Sequence, residues 1–219
     1  MYNQRYKGLF EKQWNRGIKM SNIIGLINYG IAGNIHSIKK AIEKAGGTVK
    51  IVNNEDELNS VAKIVIPGVG SFKDAMAELE KDTLLEPLKK AIQTKPTLGI
   101  CLGMQILATL GFEYGKTKGL DAIKAEVKPM LVDAKVPHMG FNTIDVVKSN
   151  VLLNGLEDEE FYFMHSYEVV NYTEISSLTD YAGHKFVSSV QKDNVYGVQF
   201  HPEKSREAGI KLFKNFIEL

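Results

Sequence analysis

Four short apolar runs organise the first half of the chain: IIGLIN from Ile23, TVKIV from Thr48, AKIVIP from Ala62 and TLGI from Thr97. Helix-spaced apolar residues lie between successive runs. Strand-length segments alternating with helix-length ones need crossover connections, and crossovers make a parallel sheet covered by helices. Asn34 is expected to cap a helix burying Ile35, Ile38, Ala41 and Ile42, with Gly46-Gly47 ending it. Further helices are expected over about 72–80, 83–94 and 102–110. The second half changes character. Ile123–Val127, Thr143–Val147, Glu160–Met164, Glu168–Val170, Phe186–Val190 and Tyr196–Phe200 read as strands joined by polar turns, and Glu207–Ile217 alone reads as a helix. The expected fold class is α/β, a mostly parallel central sheet flanked by helices with antiparallel strands in the second half.

A chain of 219 residues fits one such unit. Residues 1–19 stand apart: Arg5, Lys7, Lys12, Arg16 and Lys19 face only Glu11, and Met20 precedes the first strand directly. They are expected to be a disordered extension, or an upstream start, with a basic docking arm as the alternative. Residues 20–219 are expected to be the single functional domain. A net charge of +1 supplies no field to gather nucleic acid or an anionic membrane. No apolar run approaches the roughly 20 residues of a spanning helix. One cysteine excludes an internal disulfide and any multi-cysteine zinc site, so a reducing, cytoplasmic setting is expected.

That cysteine sits in Gly99-Ile100-Cys101-Leu102-Gly103, after an apolar strand and before an amphipathic helix. The pattern is a cysteine form of the nucleophile elbow, whose sharp turn leaves no room for Cβ atoms at the flanking positions. The turn would hold the sulfur at a helix N-terminus, where the dipole favours thiolate, with the Leu102 amide aimed at a developing oxyanion. A buried structural cysteine is the ordinary alternative. His201 ends the run Tyr196–Phe200, and Glu203 lies two residues on across Pro202. Histidine takes the thiol proton, and a carboxylate fixes its tautomer. The zinc-deaminase use of His-x-Glu fails, because no cysteine follows position 101. Pro67-Gly68-Val69-Gly70 offers backbone amides to a developing anion, with Ser71 as cap of the next helix. It matches neither a P-loop nor a dinucleotide fingerprint. Five histidines with no ligand-like spacing indicate no metal, and no cofactor is expected.

Asn28-Tyr29-Gly30, PGVG at 67–70, GICLGMQ at 99–105, VPHMGFN at 136–142, MHSY at 164–167 and GVQFHPEKS at 197–205 follow one another in an order that resembles the class I glutamine amidotransferases. More narrowly they are similar to the glutaminase subunits of imidazole glycerol phosphate synthases. The resemblance runs from Asn22 to Leu219. It implies that Cys101 attacks glutamine to form a γ-glutamyl thioester and release ammonia, with His201 as base and acid and Glu203 orienting it. It implies an oxyanion hole from Val69, Gly70 and Leu102, and a substrate site from Gly68, Gln105, Glu113, His165, Ser166 and Tyr167. Asn28, Tyr29, Pro137, Met139, Phe141 and Asn142 would meet the partner, a TIM-barrel cyclase subunit that uses the ammonia in histidine biosynthesis. Phe141 stands where the family usually has tryptophan. Two alternatives are a paralogue feeding a surface or flagellar sugar amidotransferase and a partner-independent cysteine hydrolase. A non-catalytic binding module would not need all three residue types.

Overall fold

The computed structural model describes residues 22–30 and 34–219; the expected extension at 1–19 lies outside them. In chain order the strands are β1 (Ile23–Ile27), β2 (Thr48–Val52), β3 (Lys63–Ile66), β4 (Thr97–Ile100), β5 (Leu110–Gly111), β6 (Thr117–Lys118), β7 (Glu126–Pro129), β8 (His138–Thr143), β9 (Asp145–Val146), β10 (Glu160–His165), β11 (Tyr167–Val170), β12 (Ile175–Tyr181), β13 (His184–Lys192) and β14 (Val195–Val198). The helices are α1 (Ile35–Lys44), α2 (Glu55–Asn59), α3 (Phe72–Lys81), α4 (Leu85–Ile92), α5 (Leu102–Ile106) and α6 (Arg206–Glu218).

An eight-stranded sheet in the order β2-β1-β3-β4-β14-β13-β12-β9 carries the fold. The pairings from β2 through β14 are parallel, and those from β14 to β9 are antiparallel. The expected class is therefore the observed one. Side chains alternate across the sheet, so each strand feeds two cores. Ile27, Ile64 and Ile66 enter one, with α2, α3, α4 and α5 packed over it. Ile24, Leu26, Val65, Leu98 and Ile100 enter the other, under α1 and α6. Burial on both faces explains why β1, β3 and β4 read as apolar runs. Among the described residues no helix is long and apolar enough to cross a membrane.

The structure departs from the sequence expectations where backbone groups find partners outside their own element. The helix expected over 102–110 stops at Ile106, because the carbonyls of Ile106, Leu107 and Ala108 accept from Leu120, Ala122 and Asp121. Gly119 makes this docking possible, since a Cβ there would overlap the Ala108 carbonyl. The strand expected over 123–127 lies at Glu126–Pro129, and that over 143–147 divides into β8 and β9. The strand expected to reach Phe200 ends at Val198. β12 was not expected at all. Its buried face carries hydroxyls, with Ser177 Oγ 2.8 Å from Ser188 Oγ and 2.7 Å from Ser189 Oγ, so it shows no apolar alternation.

Candidate active site

Three adjacent strands deliver the site. β3 runs into Pro67–Gly70, β4 into Cys101, and β14 into Gln199 and His201. Because β3, β4 and β14 are parallel, all three segments emerge at the same carboxyl edge, where open α/β sheets bind ligands.

Cys101 has φ 54° and ψ −110°, a conformation that costs an L-residue about 1–3 kcal/mol. Its amide donates to the Val198 carbonyl at 2.8 Å, and its carbonyl accepts from Gln105 N at 3.1 Å, so sheet and helix together hold the strain. A Cβ on Gly99 would lie 2.7 Å from the backbone of Gly103, and one on Gly103 would overlap the Ile66 carbonyl. Both glycines are steric requirements of the elbow.

His201 and Glu203 lie on the turn between β14 and α6. The His201 amide donates to the Tyr162 carbonyl at 2.8 Å, and Ser205 Oγ donates to the His201 carbonyl at 2.7 Å. α6 packs hard against this turn, because a Cβ on Gly209 would overlap the Pro202 carbonyl. His201 Nδ1 donates to Glu203 Oε1 at 2.9 Å, and both side chains are shut away from solvent. Asn34 Nδ2 donates to the same carboxylate oxygen. Asn34 thus occupies the N-cap position of α1 without capping it by its side chain, a correction to the sequence reading. Among the described residues, His201 Nε2 and Glu203 Oε2 are buried without hydrogen-bond partners.

Burial opposes charge on the His201 ring, but the neighbouring Cys101 sulfur and Glu203 carboxylate outweigh it and hold the imidazole up at about 10. The ring thus holds its proton more tightly than a free imidazole does. Its folded value lies above the ordinary 6.5, so its protonation stabilises the fold fully below about pH 6.5 and that contribution fades as pH rises toward 10. NMR titration of the ring should give a midpoint well above 6.5, falling in Cys101→Ala, where the sulfur's contribution is gone; an unchanged midpoint in the variant would refute this coupling.

A cavity of about 320 Å³ opens beside the elbow. Val69, Gly70, Leu102, Gln105, Glu113, His165, Ser166 and Tyr167 line it together with Cys101 and His201. Gly70, at φ 106°, is in a conformation that favours glycine. Glu113 Oε2 accepts from Phe72 N at 2.8 Å, which ties it to the start of α3, and Ser71 caps that helix. Burial pushes the Glu113 carboxyl up. Burial also holds His165 down at about 3, a neutral ring whose Nδ1 donates to the Tyr167 carbonyl at 3.0 Å. Gly68 is the exception among the expected ligand contacts. It does not line the cavity, and a Cβ there would meet Tyr29 Oη at 2.7 Å and Leu102 Cβ at 2.8 Å.

Two groups beside the reacting atoms escaped the sequence reading. Gln199, fully buried, donates from Nε2 to Cys101 Sγ at 3.6 Å. Asn34 is the other. The available signal for Gln199 was a polar residue inside the apolar run VYGVQF, two places before His201 and so on the same face. Among the described residues, no group of three His, Cys, Asp or Glu side chains could hold a metal ion.

The residues expected at a partner surface divide. Met139 and Phe141 alternate on the open face of β8, 58% and 37% exposed, and the Arg206 guanidinium sits 4.3 Å from the Phe141 ring centroid. Pro137 instead lines the cavity. Asn142 is half-buried and donates to the Asp180 carbonyl at 2.8 Å; Asn28 is half-buried and donates to Asn53. Tyr29 corrects the expectation: it is fully buried, its hydroxyl donating to the Pro67 carbonyl beneath the PGVG loop.

A model of the family described as glutamine amidotransferase class-I matches residues 26–219. The chain is 45% identical over 202 residues to imidazole glycerol phosphate synthase subunit HisH 1 of Campylobacter jejuni (strain RM1221), covering 90% of this chain and 100% of that protein. It is 46% identical over 198 residues to imidazole glycerol phosphate synthase subunit HisH of Desulfitobacterium hafniense (strain DSM 10664 / DCB-2), covering 89% and 93%. Among solved structures, a crystal structure of a glutamine amidotransferase superposes with TM-score 0.71 at 17% identity, covering 90% of this chain and 99% of that one. PurLQS from Thermotoga maritima superposes with TM-score 0.70 at 19% identity, covering 90% and 98%. These two likenesses concern the fold.

Proposed function

The chain belongs to the class I glutamine amidotransferase family, and from that membership we propose that it is the glutaminase subunit of an imidazole glycerol phosphate synthase. The observation that carries the reading is the meeting of a strained Cys101, a buried His201 buttressed by Glu203, and the PGVG loop around one cavity. The Cys101 sulfur attacks the side-chain amide carbon of glutamine. The amides of Leu102 and of Val69–Gly70 receive the oxyanion. His201 gives its proton to the departing amide nitrogen, which leaves as ammonia from a γ-glutamyl thioester. His201 then takes a proton from water, the hydroxide attacks the thioester, and glutamate leaves with the sulfur restored. Glu203 keeps the ring in the required tautomer throughout. Gln105, Glu113, His165, Ser166 and Tyr167 surround the amino-acid head of the substrate.

The released ammonia serves a TIM-barrel cyclase subunit in histidine biosynthesis, the two chains forming a cytoplasmic heterodimer. Residues 20–219 act as one domain in this assembly. The exposed Met139–Phe141 face of β8, which continues from Pro137 at the cavity, supports docking at that edge. The names of the relatives favour neither the sugar-modifying paralogue nor a free hydrolase. The test is glutamine hydrolysis by the chain alone, then with the cyclase and its nucleotide ligand. Stimulation of at least about tenfold is expected, within the usual range of coupling between sites. Full activity from the isolated chain would sink the coupled reading.

A further inference from the structure

The buried amides behind the nucleophile have only one orientation open to them. Gln105 Nε2 lies 3.0 Å from the Tyr167 carbonyl and 3.0 Å from Gln199 Oε1. A backbone carbonyl can only accept, so the Gln105 atom facing it must be the nitrogen. That nitrogen donates to Gln199 as well, which makes the Gln199 atom facing it the oxygen. The remaining end of the Gln199 amide, the NH₂, is then the end that faces Cys101 Sγ at 3.6 Å. Gln199 has no solvent exposure and Gln105 has 5%, so water does not compete for these positions.

We infer that Gln105 and Gln199 form a donor relay that presents an N–H to the nucleophilic sulfur and stabilises its negative form. Gln199 is the group in contact with the reacting atom, and Gln105 is the positioning residue behind it. The sulfur therefore has two polar neighbours besides His201. As a thiol it donates toward the Met164 carbonyl, 3.9 Å away, and as a thiolate it accepts from Gln199. The relay also commits both Gln105 N–H groups, so only its carbonyl oxygen is left to meet a ligand. This inference rests on Cys101 being the nucleophile, but its test reads the sulfur directly, without glutamine.

Cys101 is the only cysteine in the chain, so alkylation by iodoacetamide reports on it alone. Gln199→Met keeps the length and removes the donor. At pH 7 its second-order alkylation rate should fall about tenfold, the loss expected for one hydrogen bond to a charged group. Gln105→Leu leaves the sulfur contact in place but frees the Gln199 amide to turn, and a smaller fall of about threefold is expected. In turnover, kcat should fall in Gln199→Met with KM for glutamine little changed. A wild-type or faster alkylation rate in folded Gln199→Met would overturn the relay. If that variant does not fold, Gln105→Leu decides by the same measurement, an unchanged rate counting against it. An absent relay effect leaves Cys101 standing as the nucleophile, whereas glutamine hydrolysis by Cys101→Ala removes the thioester mechanism whatever the alkylation rates.

Discussion

Cys101→Ala should lower glutamine hydrolysis by at least about 10⁴-fold, the scale on which loss of a nucleophile acts in comparable triads. The expectation rests on geometry in which nothing else replaces the sulfur. His201 Nε2 faces the site without another partner among the described residues, and the cavity holds no second thiol. The substitution keeps Cβ, so the elbow at φ 54° is strained as before, and the Cys101 amide keeps its bond to Val198. Folding should therefore survive, and the cyclase partner should still turn over with free ammonia while glutamine no longer supports it. The measurement pairs glutamate release with ammonia-dependent product formation in the complex. Retained glutamate release would show that the thioester mechanism is wrong.

Gly103→Ala should be among the most damaging single changes outside the reacting groups. The added Cβ would overlap the Ile66 carbonyl, a backbone atom of a central strand that cannot rotate away. Relief requires β3 and α5 to separate, opening the core that holds Ile66, Leu102, Met104 and Ile106. A loss of about 3 kcal/mol or more is expected, at the upper end of the range for overpacking. The same separation would move the PGVG loop and the Leu102 amide away from the sulfur, so activity should drop even where the variant remains folded. Denaturant unfolding of both proteins gives the first quantity and glutamine turnover the second. Wild-type stability in Gly103→Ala would mean that the elbow has slack that these contacts do not allow.

Much of this architecture was legible in the chain because the parallel half obeys simple periodicities. β1, β3 and β4 are buried on both faces and read as continuous apolar runs, and α1 buries Ile38, Ala41 and Ile42 as its spacing requires. The elbow was legible because its steric demand falls on residue types: only glycine fits at 99 and 103. The antiparallel end was less legible because it satisfies burial with hydroxyl pairs at Ser177, Ser188 and Ser189 in place of apolar side chains. Tyr29, Asn34 and Gln199 were misread or missed for one shared reason. Their roles depend on partners far along the chain, Pro67, Glu203 and Cys101, and local pattern carries no record of such meetings. Asn34 illustrates this best, since a helix cap and a carboxylate donor call for the same side chain at the same place.

The pairing of β4 with β14 sets Ile100 opposite Val198, so Cys101 and Gln199 leave the sheet side by side with His201 two residues on. The spacing of the two segments is therefore the repeat of a backbone ladder, about 4.8 Å from strand to strand, and does not depend on the number of residues between them. Within the excursion from Leu102 to Val195, loops away from the cavity-lining residues can gain or lose length without changing this spacing. A slip of one residue between the two strands would do the opposite: with every length unchanged, it would turn the base and its strand neighbours toward the wrong face. The chemistry tolerates insertion and does not tolerate misregistration.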